Sequence, residues 1–255
     1  MIDLHCHVLP GIDDGPATLP EAIELGRAAA DEGVEIMAAT PHVRDDYPTS
    51  ADEMERLVEE LRAALAEHDV ALDLRPGAEI ALDRLSTLDA DELRRFGLAG
   101  NPRYLLLETP YFGFPLDFGE RIFRLQAAGI TPILAHPERN GDLQASPERL
   151  AAFVERGMLV QLTAASVDGR LGRAAKKASF ELLEGGLAHM IGSDAHAQSG
   201  GRIGMSAAAD AIGDTELFRW LAVDVPLAIV NDTPIPEMPP AHRRLRTFRW
   251  RFRRR

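Results

Sequence analysis

Met1-Ile2-Asp3-Leu4-His5-Cys6-His7 opens the chain, and its reading decides the fold. Ile2 to Leu4 reads as a short strand with histidines at its carboxyl end. Strand side chains alternate faces, so His5 and His7 point to one side and Cys6 to the other, which removes Cys6 from the candidate ligands. The pattern then repeats. Strand-like runs follow at Val34 to Ala39, Val70 to Leu74, Tyr104 to Leu107, Thr131 to Ala135, Met158 to Leu162 and Ala188 to Ile191. After them, in order, stand His42, Glu79, Glu108, His136 and the triplet Asp194-Ala195-His196, with Asp14 shortly after the first strand. His, Asp and Glu side chains at the carboxyl ends of successive strands are what an α/β barrel uses to build an active site.

Between the strands lie helix-like segments with apolar residues at three-and-four spacing: Leu19 to Asp31, Ala51 to Glu67, Asp117 to Ala128, Pro147 to Glu155 and Arg170 to Glu184. Several end at a glycine before the next strand, as at Gly33, Gly129, Gly157 and Gly185, where a left-handed cap is least costly. Strands alternating with helices of this length mean parallel βαβ units, and 255 residues suits one α/β barrel. Helix-like Met205 to Ile212 and Glu216 to Ala222 and an apolar run Val225 to Val230 complete the expected domain, residues 1–231. Residues 232–255 read as a proline-rich linker and a basic tail.

Composition narrows the function classes. No apolar run approaches the roughly 18 to 20 residues of a membrane helix, and the N-terminus carries no charged-then-apolar leader. Cys6 is the single cysteine, so no internal disulfide forms and a reducing cytoplasm is the expected location. Net charge is −12, but eight of the 28 basic residues fall among residues 242–255 without one acid. The acidic remainder argues against nucleic acid as a partner. The tail interleaves arginines with Phe248, Trp250 and Phe252, a composition that adheres to anionic lipid or acidic protein, folds back on the acidic body, or stays solvated.

Imidazoles mixed with carboxylates suit a cluster of divalent ions bridged by a carboxylate. Two-metal sites place ions about 3.5 to 4 Å apart and clamp the attacking and leaving oxygens of phosphoryl transfer. Four carboxylates against three divalent ions leave a net positive pocket, which attracts phosphate despite the acidic surface. Asp13 precedes Asp14, and either can turn inward.

The stretches His5-Cys6-His7, Asp13-Asp14-Gly15-Pro16, Thr40-Pro41-His42, Gly77-Ala78-Glu79-Ile80, Leu107-Glu108, Ala135-His136-Pro137-Glu138-Arg139 and Ser193-Asp194-Ala195-His196 together resemble the PHP (polymerase and histidinol phosphatase) superfamily. Within it they are most similar to the bacterial manganese-dependent tyrosine phosphatases of capsule and exopolysaccharide loci, over residues 1 to about 230. That resemblance implies a distorted (β/α)7 TIM-like barrel with three divalent ions, manganese expected and iron or zinc the alternatives, at the carboxyl ends of the strands. Carried over, His5, His7, Glu79 and Asp194 bind the first ion, Glu79, Glu108 and His136 the second, and Asp14, His42 and His196 the third. Arg139 and Arg202 are implied to grip phosphate, with Arg44 a weaker candidate. The implied partner is a tyrosine-phosphorylated capsule or exopolysaccharide kinase, with the basic tail holding the enzyme at the inner membrane.

The expected reaction is phosphomonoester hydrolysis by a metal-bound hydroxide attacking in line, with ions and arginines neutralising the equatorial oxygens. A cysteine phosphatase is excluded, because C-x5-R from Cys6 would need arginine at Ile12. No phosphate-cradling G-x-x-x-x-G-K-[ST] loop and no G-x-S-x-G elbow occur. Two other readings stand beside the tyrosine phosphatase: a small-molecule phosphatase of the histidinol-phosphate type, and a non-catalytic scaffold at the polysaccharide machinery. The loop Thr109-Pro110-Tyr111-Phe112-Gly113-Phe114-Pro115 brings three aromatics close to Glu108, either to sandwich a phosphotyrosine ring or to cap the barrel mouth.

Overall fold

The computed structural model describes residues 1–196 and 202–239. Residues 197–201 and those from 240 onward, including the basic stretch 242–255, lie outside the described residues. Strand β1 (Ile2–Cys6) is buried along its whole length. Helix α1 (Leu19–Asp31) follows, its entry fixed by a capping box in which Thr18 accepts from the Glu21 N–H and Glu21 reaches back, with Pro20 in the first turn. Ala22, Ile23, Leu25, Gly26 and Ala29 form its buried stripe. Strands β2 (Ile36–Ala39) and β3 (His42–Arg44) come next, then a short antiparallel partner of β3, β4 (Tyr47–Pro48). Ser50 caps α2 (Ala51–Glu67), whose Leu65 packs so tightly on Gly26 that a Cβ there would stand 2.8 Å away.

Strands β5 (Asp73–Pro76) and β6 (Glu79–Ala81), helix α3 (Ala90–Arg95), strand β7 (Tyr104–Glu108), helix α4 (Phe118–Ala127) and strand β8 (Thr131–Ala135) continue the alternation. Two short helices, α5 (Gly141–Ala145) and α6 (Ala151–Val154), lead to strand β9 (Leu159–Thr163). Helices α7 (Ala164–Asp168) and α8 (Arg173–Glu184) precede strand β10 (Met190–Gly192), and α9 (Met205–Ile212), α10 (Thr215–Arg219), a π-helical turn and α11 (Val225–Val230) close the described domain.

The strands pair in parallel in the order β5-β2-β1 and β10-β9-β8-β7-β6-β3, with β4 antiparallel at the far edge. Two features turn these sheets into one distorted barrel. First, β2 and β5 are neighbours, and so are their continuations β3 and β6: Ala39 pairs with Pro76, and after a two-residue break in each strand His42 pairs with Glu79. Pro41 brings no N–H to the ladder and Pro76-Gly77 ends the other run, so the interruptions fall side by side. Second, β1 meets the end of β10 through the Cys6–Ala195 bridge, with Asp194 N–H donating to His5 O at 2.7 Å and His7 N–H to Ala195 O at 3.0 Å.

Counting each broken pair once, the barrel has the seven parallel strands the sequence predicts. Several details differ. The third run starts at Asp73 rather than Val70, because Asp69 takes a left-handed φ of 55° that turns the chain after α2. The last run shifts to Met190–Gly192, and the segment from Arg170 becomes helical only at Arg173, after Gly169 and Gly172 with φ of 100° and 94°. The apolar run at the end is helix α11. Residues 233–239, the start of the expected linker, lack regular structure but lie against the barrel: Ile235 and Met238 pack on the core, and Trp220 Nε1 donates to Pro236 O at 3.0 Å. Among the described residues no helix is long and apolar enough to cross a membrane.

Candidate metal centre

All nine residues read from the sequence as ligands meet at the carboxyl rim of the barrel. Their donor atoms form four overlapping groups, each within 4.8 Å: His7, Asp14, His42 and His196; His5, His7 and Asp194; His5, Glu79 and His136; and His42, Glu79 and Glu108. Backbone pairing produces this convergence. The His42–Glu79 and Ala81–Glu108 pairings set neighbouring strands in step, and the β1–β10 seam sets His5 and His7 against Asp194 and His196. Glu79, fully buried, stands at the centre: its Oε1 is 2.7 Å from His136 Nε2, and its Oε2 is 3.0 Å from His42 Nδ1 and 3.6 Å from both His5 and His7. Asp14 Oδ1 lies 3.2 Å from His196 Nε2 and 3.6 Å from His42 Nε2.

The donor set fits divalent cations. Glu79 Oε2 and His42 Nδ1 are both buried and neither makes a hydrogen bond, although they stand 3.0 Å apart. Two ligand atoms each about 2.1 Å from one ion and at right angles to it would be separated by about 3.0 Å. Similarly, His5 Nε2 and His7 Nε2 face each other at 3.3 Å. His5 presents a lone pair there, because its Nδ1 donates to Gln161 Oε1 at 2.8 Å, and the Gln161 amide is oriented by its own 2.6 Å bond to Leu162 O.

Without cations the cluster holds protons. Burial disfavours the protonated form of His5 and His7, yet Glu79 and Asp194 at His5, and Asp13, Asp194 and Glu79 at His7, outweigh it and raise both, His7 strongly. Burial likewise works against the charged Glu79, but His5 and His136 hold its carboxyl well below the usual carboxylate range. Incoming metal must displace these protons, so affinity falls as pH falls. His136 and Asp194 both adopt left-handed backbone, φ 35° and 51°, a conformation that costs roughly 1–3 kcal/mol for such residues and clusters at functional sites.

Above the cluster lies a cavity of about 500 Å³ lined by Asp14, His42, Glu79, Glu108, His136 and Asp194, with four arginines, Arg44, Arg139, Arg170 and Arg202, around its walls. Arg139 donates to Asp194 Oδ2 and, at 2.6 Å, to the Tyr111 hydroxyl, and its guanidinium lies 4.9 Å from the Tyr111 ring. The pairing with Glu138 or Asp142 that a surface role would give is absent; Glu138 turns inward, fully buried, and accepts the Thr163 N–H at 2.9 Å. Arg44 bonds Glu108 at 2.9 Å and Asp46 at 2.6 Å. Arg202 is exposed on the cavity wall.

Of the three loop aromatics only Tyr111 lines the cavity; Phe112 is 88 % exposed, and Phe114 lies tilted against Phe118 with ring centroids 4.5 Å apart. The three make no sandwich. Three partners escaped the sequence reading. Asp13 turns away from Asp14 to bond His7, Gln161 orients His5, and Arg170 reaches the cavity because α7, unforeseen in the sequence, precedes it. Gln161, in the one strand without a landmark after it, gave no signal; for Asp13 the doubled aspartate before Gly15 was the visible cue.

A parallel barrel with five imidazoles and four carboxylates at its carboxyl rim and arginines above them has the donor set and charge that metal-dependent phosphoester cleavage requires. Residues 1–215 match the family described as capsular polysaccharide synthesis, CpsB/CapC, and the chain belongs to it. Among its relatives, the tyrosine-protein phosphatase YwqE of Bacillus subtilis is 35% identical over 198 residues, 77% of each chain. The tyrosine-protein phosphatase CpsB of Streptococcus pneumoniae is 27% identical over 243 residues, covering 91% of this chain and 99% of the relative. A crystal structure from work on YwqE and CpsB, described as unique metal-dependent tyrosine phosphatases, superposes with a TM-score of 0.81 at 28% identity, over 94% of this chain and 98% of the other.

Proposed function

We propose that this chain is a metal-dependent protein-tyrosine phosphatase acting on a tyrosine-phosphorylated kinase of capsule or exopolysaccharide synthesis. The observation that carries the reading is the convergence of nine His, Asp and Glu side chains beneath a cavity whose wall holds Arg139 already oriented by Asp194 and Tyr111. In this reading His5, His7, Glu79 and Asp194, then Glu79, Glu108 and His136, then Asp14, His42 and His196 would hold three divalent ions, manganese foremost; His7 also borders the group of Asp14, His42 and His196, and His42 that of Glu79 and Glu108. Such ions supply Lewis acidity that neutralises phosphoryl charge and activates water.

The chain's own groups do the rest. Arg139 offers a planar fork to two phosphoryl oxygens, and it stays charged, since Asp194 outweighs the effect of its burial. Arg202, exposed on the cavity wall, is the second guanidinium available to the phosphate. Tyr111 holds the Arg139 fork and presents its ring to the leaving phenol. A phenol with pKa about 10 leaves more readily than an alcohol, which lowers the demand for a strong general acid. In this reading the enzyme works in the cytoplasm, and the arginine-rich residues 242–255 would hold it at the anionic inner membrane.

The test compares metal-stripped protein, protein reloaded with manganese, iron or zinc, and a His136→Ala variant, each on a phosphotyrosine peptide, p-nitrophenyl phosphate and histidinol phosphate. Manganese-dependent peptide turnover that vanishes in the variant is expected. Faster turnover of histidinol phosphate would move the function to small-molecule hydrolysis, and turnover of no substrate would leave a scaffold.

A further inference from the structure

The Asp13-Asp14 doublet divides its labour in a way neither the family match nor the ligand set assigns. Asp14 faces the cavity with its side chain 36 % exposed; that of Asp13 is 0 % exposed and points behind the cluster. There Asp13 Oδ2 takes two N–H groups: His7 Nδ1 at 2.8 Å and the backbone N–H of His42 at 3.0 Å. Its Oδ1 accepts the Gly15 N–H at 2.9 Å. One carboxylate thus grips three separate pieces of the site: the His7 ring beyond β1, the start of β3 at His42, and the turn that aims Asp14. Gly15 permits the approach, since a Cβ there would stand 2.4 Å from His7 O and 3.0 Å from Asp13 Oδ1.

We infer that Asp13 is a positioning residue: by accepting the His7 Nδ1 proton it keeps the Nε2 lone pair of His7 turned into the cluster, and by the same oxygen it sets His42 alongside. The inference rests on the metal reading above but not on the phosphatase one. Imidazole binds a cation only through an unprotonated nitrogen, and the nitrogen left free is dictated by the hydrogen bond at the other. A carboxylate accepts on every lone pair and can never donate, so at this place it fixes the ring polarity in one sense. His5 has the same arrangement from Gln161, so the two histidines of the first strand are both set from behind.

The test uses the full chain with Asp13→Ala and Asp13→Asn. Asparagine can keep its amide oxygen at the Oδ2 position, still accepting from His7 and His42, while its amide nitrogen opposes the Gly15 N–H. Affinity is therefore expected in the order wild type, Asn, Ala. Removing a partner behind a metal-bound histidine weakens affinity by roughly 10–100-fold. Calorimetric titration of metal-stripped protein with zinc, with bound metal counted by mass spectrometry, should show this loss confined to the ions that His7 or His42 borders. The group of His5, Glu79 and His136, which holds neither His7 nor His42, should keep its own. In zinc-loaded protein with 15N-labelled histidine, the wild type should show a protected His7 Nδ1–H with Nε2 unprotonated, and Asp13→Ala should lose that protection.

A role limited to holding the turn would lower the melting temperature of both stripped variants yet leave zinc affinity and the His7 signature unchanged. That result, or zinc affinity of either variant within about twofold of wild type, overturns the inference. If Asp13→Ala fails to fold, Asp13→Asn alone decides. None of these readings uses turnover, so an inactive wild type would count against the phosphatase reading and leave this one standing.

Discussion

Replacing Arg139 by lysine retains the charge and removes the fork, which separates the two contributions the cavity wall makes. The guanidinium reaches Asp194 through one nitrogen and Tyr111 through the other, and its side chain is only 22 % exposed, so its outer edge is aimed before substrate arrives. Charge-assisted hydrogen bonds contribute about 1.5–3 kcal/mol each. An ammonium on a flexible stem cannot reach both anchors and a phosphoryl group in one plane, so Arg139→Lys should forfeit one such bond, a fall of roughly 10- to 150-fold in kcat/KM. Arg139→Ala should fall further, to about 10²–10³-fold, as for loss of one pre-aimed donor at a charged transition state. Tyr111→Phe leaves the charge and frees one end of the fork, an effect of about 0.5–1.5 kcal/mol, or roughly 2- to 12-fold. Because Tyr111 acts through Arg139, its effect should shrink in the Arg139→Ala background, giving a double-mutant coupling above about 0.5 kcal/mol. Steady-state kinetics on p-nitrophenyl phosphate at saturating manganese measure the wild type and all four variants. If Arg139→Lys keeps kcat/KM within about twofold, or if the two losses simply add, the assignment of Arg139 to the phosphate is wrong.

Gly192 closes β10 against His5, and an added Cβ would stand 2.7 Å from His5 Cβ and 3.0 Å from Gln161 Nε2. Gly192→Ala should therefore displace His5, cutting bound metal per chain, read by mass spectrometry, while Gly141→Ala, at a position with nothing within 4 Å, should leave metal content unchanged. Acid dependence supplies another check on metal-stripped protein. Burial opposes ionised Asp14, but its hydrogen bond with His196 and the charges of His196, His42 and His7 outweigh it, lowering its pKa to about 2. A depressed carboxyl stabilises the fold above the unfolded value of 3.8 and loses that contribution as pH falls toward 2. The urea midpoints of wild type and Asp14→Asn should thus differ most near pH 5, where the carboxylate and its imidazole partners are both charged, and converge below about pH 4; a gap that widens between pH 5 and pH 3 would contradict the sign.

Much of the site was legible because period-2 alternation and strand ends are local properties. His5, Cys6 and His7 needed only the alternation, and Glu108 and His136 only the end of an apolar run. What stayed hidden depended on partners distant in sequence. The pairing of His42 with Glu79 comes from two breaks that happen to coincide in space, and each break looks on its own like an ordinary proline turn. Which of Asp13 and Asp14 turns inward is decided by the His7 ring and the His42 N–H, neither of which is adjacent to them in the chain. Likewise, Tyr111, Phe112 and Phe114 are equivalent on paper. Asn140 separates them by pinning the Pro110 and Gly113 carbonyls, at 2.6 Å and 3.3 Å, which leaves Tyr111 facing Arg139.

The seam between β1 and β10 has a further consequence. It is the thinnest join in the wall, one bridge and two flanking backbone bonds, and it unites the first residues of the domain with residues nearly two hundred positions later. The candidate ligands stand on both of its lips: His5 and His7 on one, Asp194 and His196 on the other. An ion held across it would act as a rivet, so that loading the site and shutting the barrel become one event. A chain still being synthesised has His5 and His7 long before it has their counterparts, and it can capture metal across that join only once the last strand is in place.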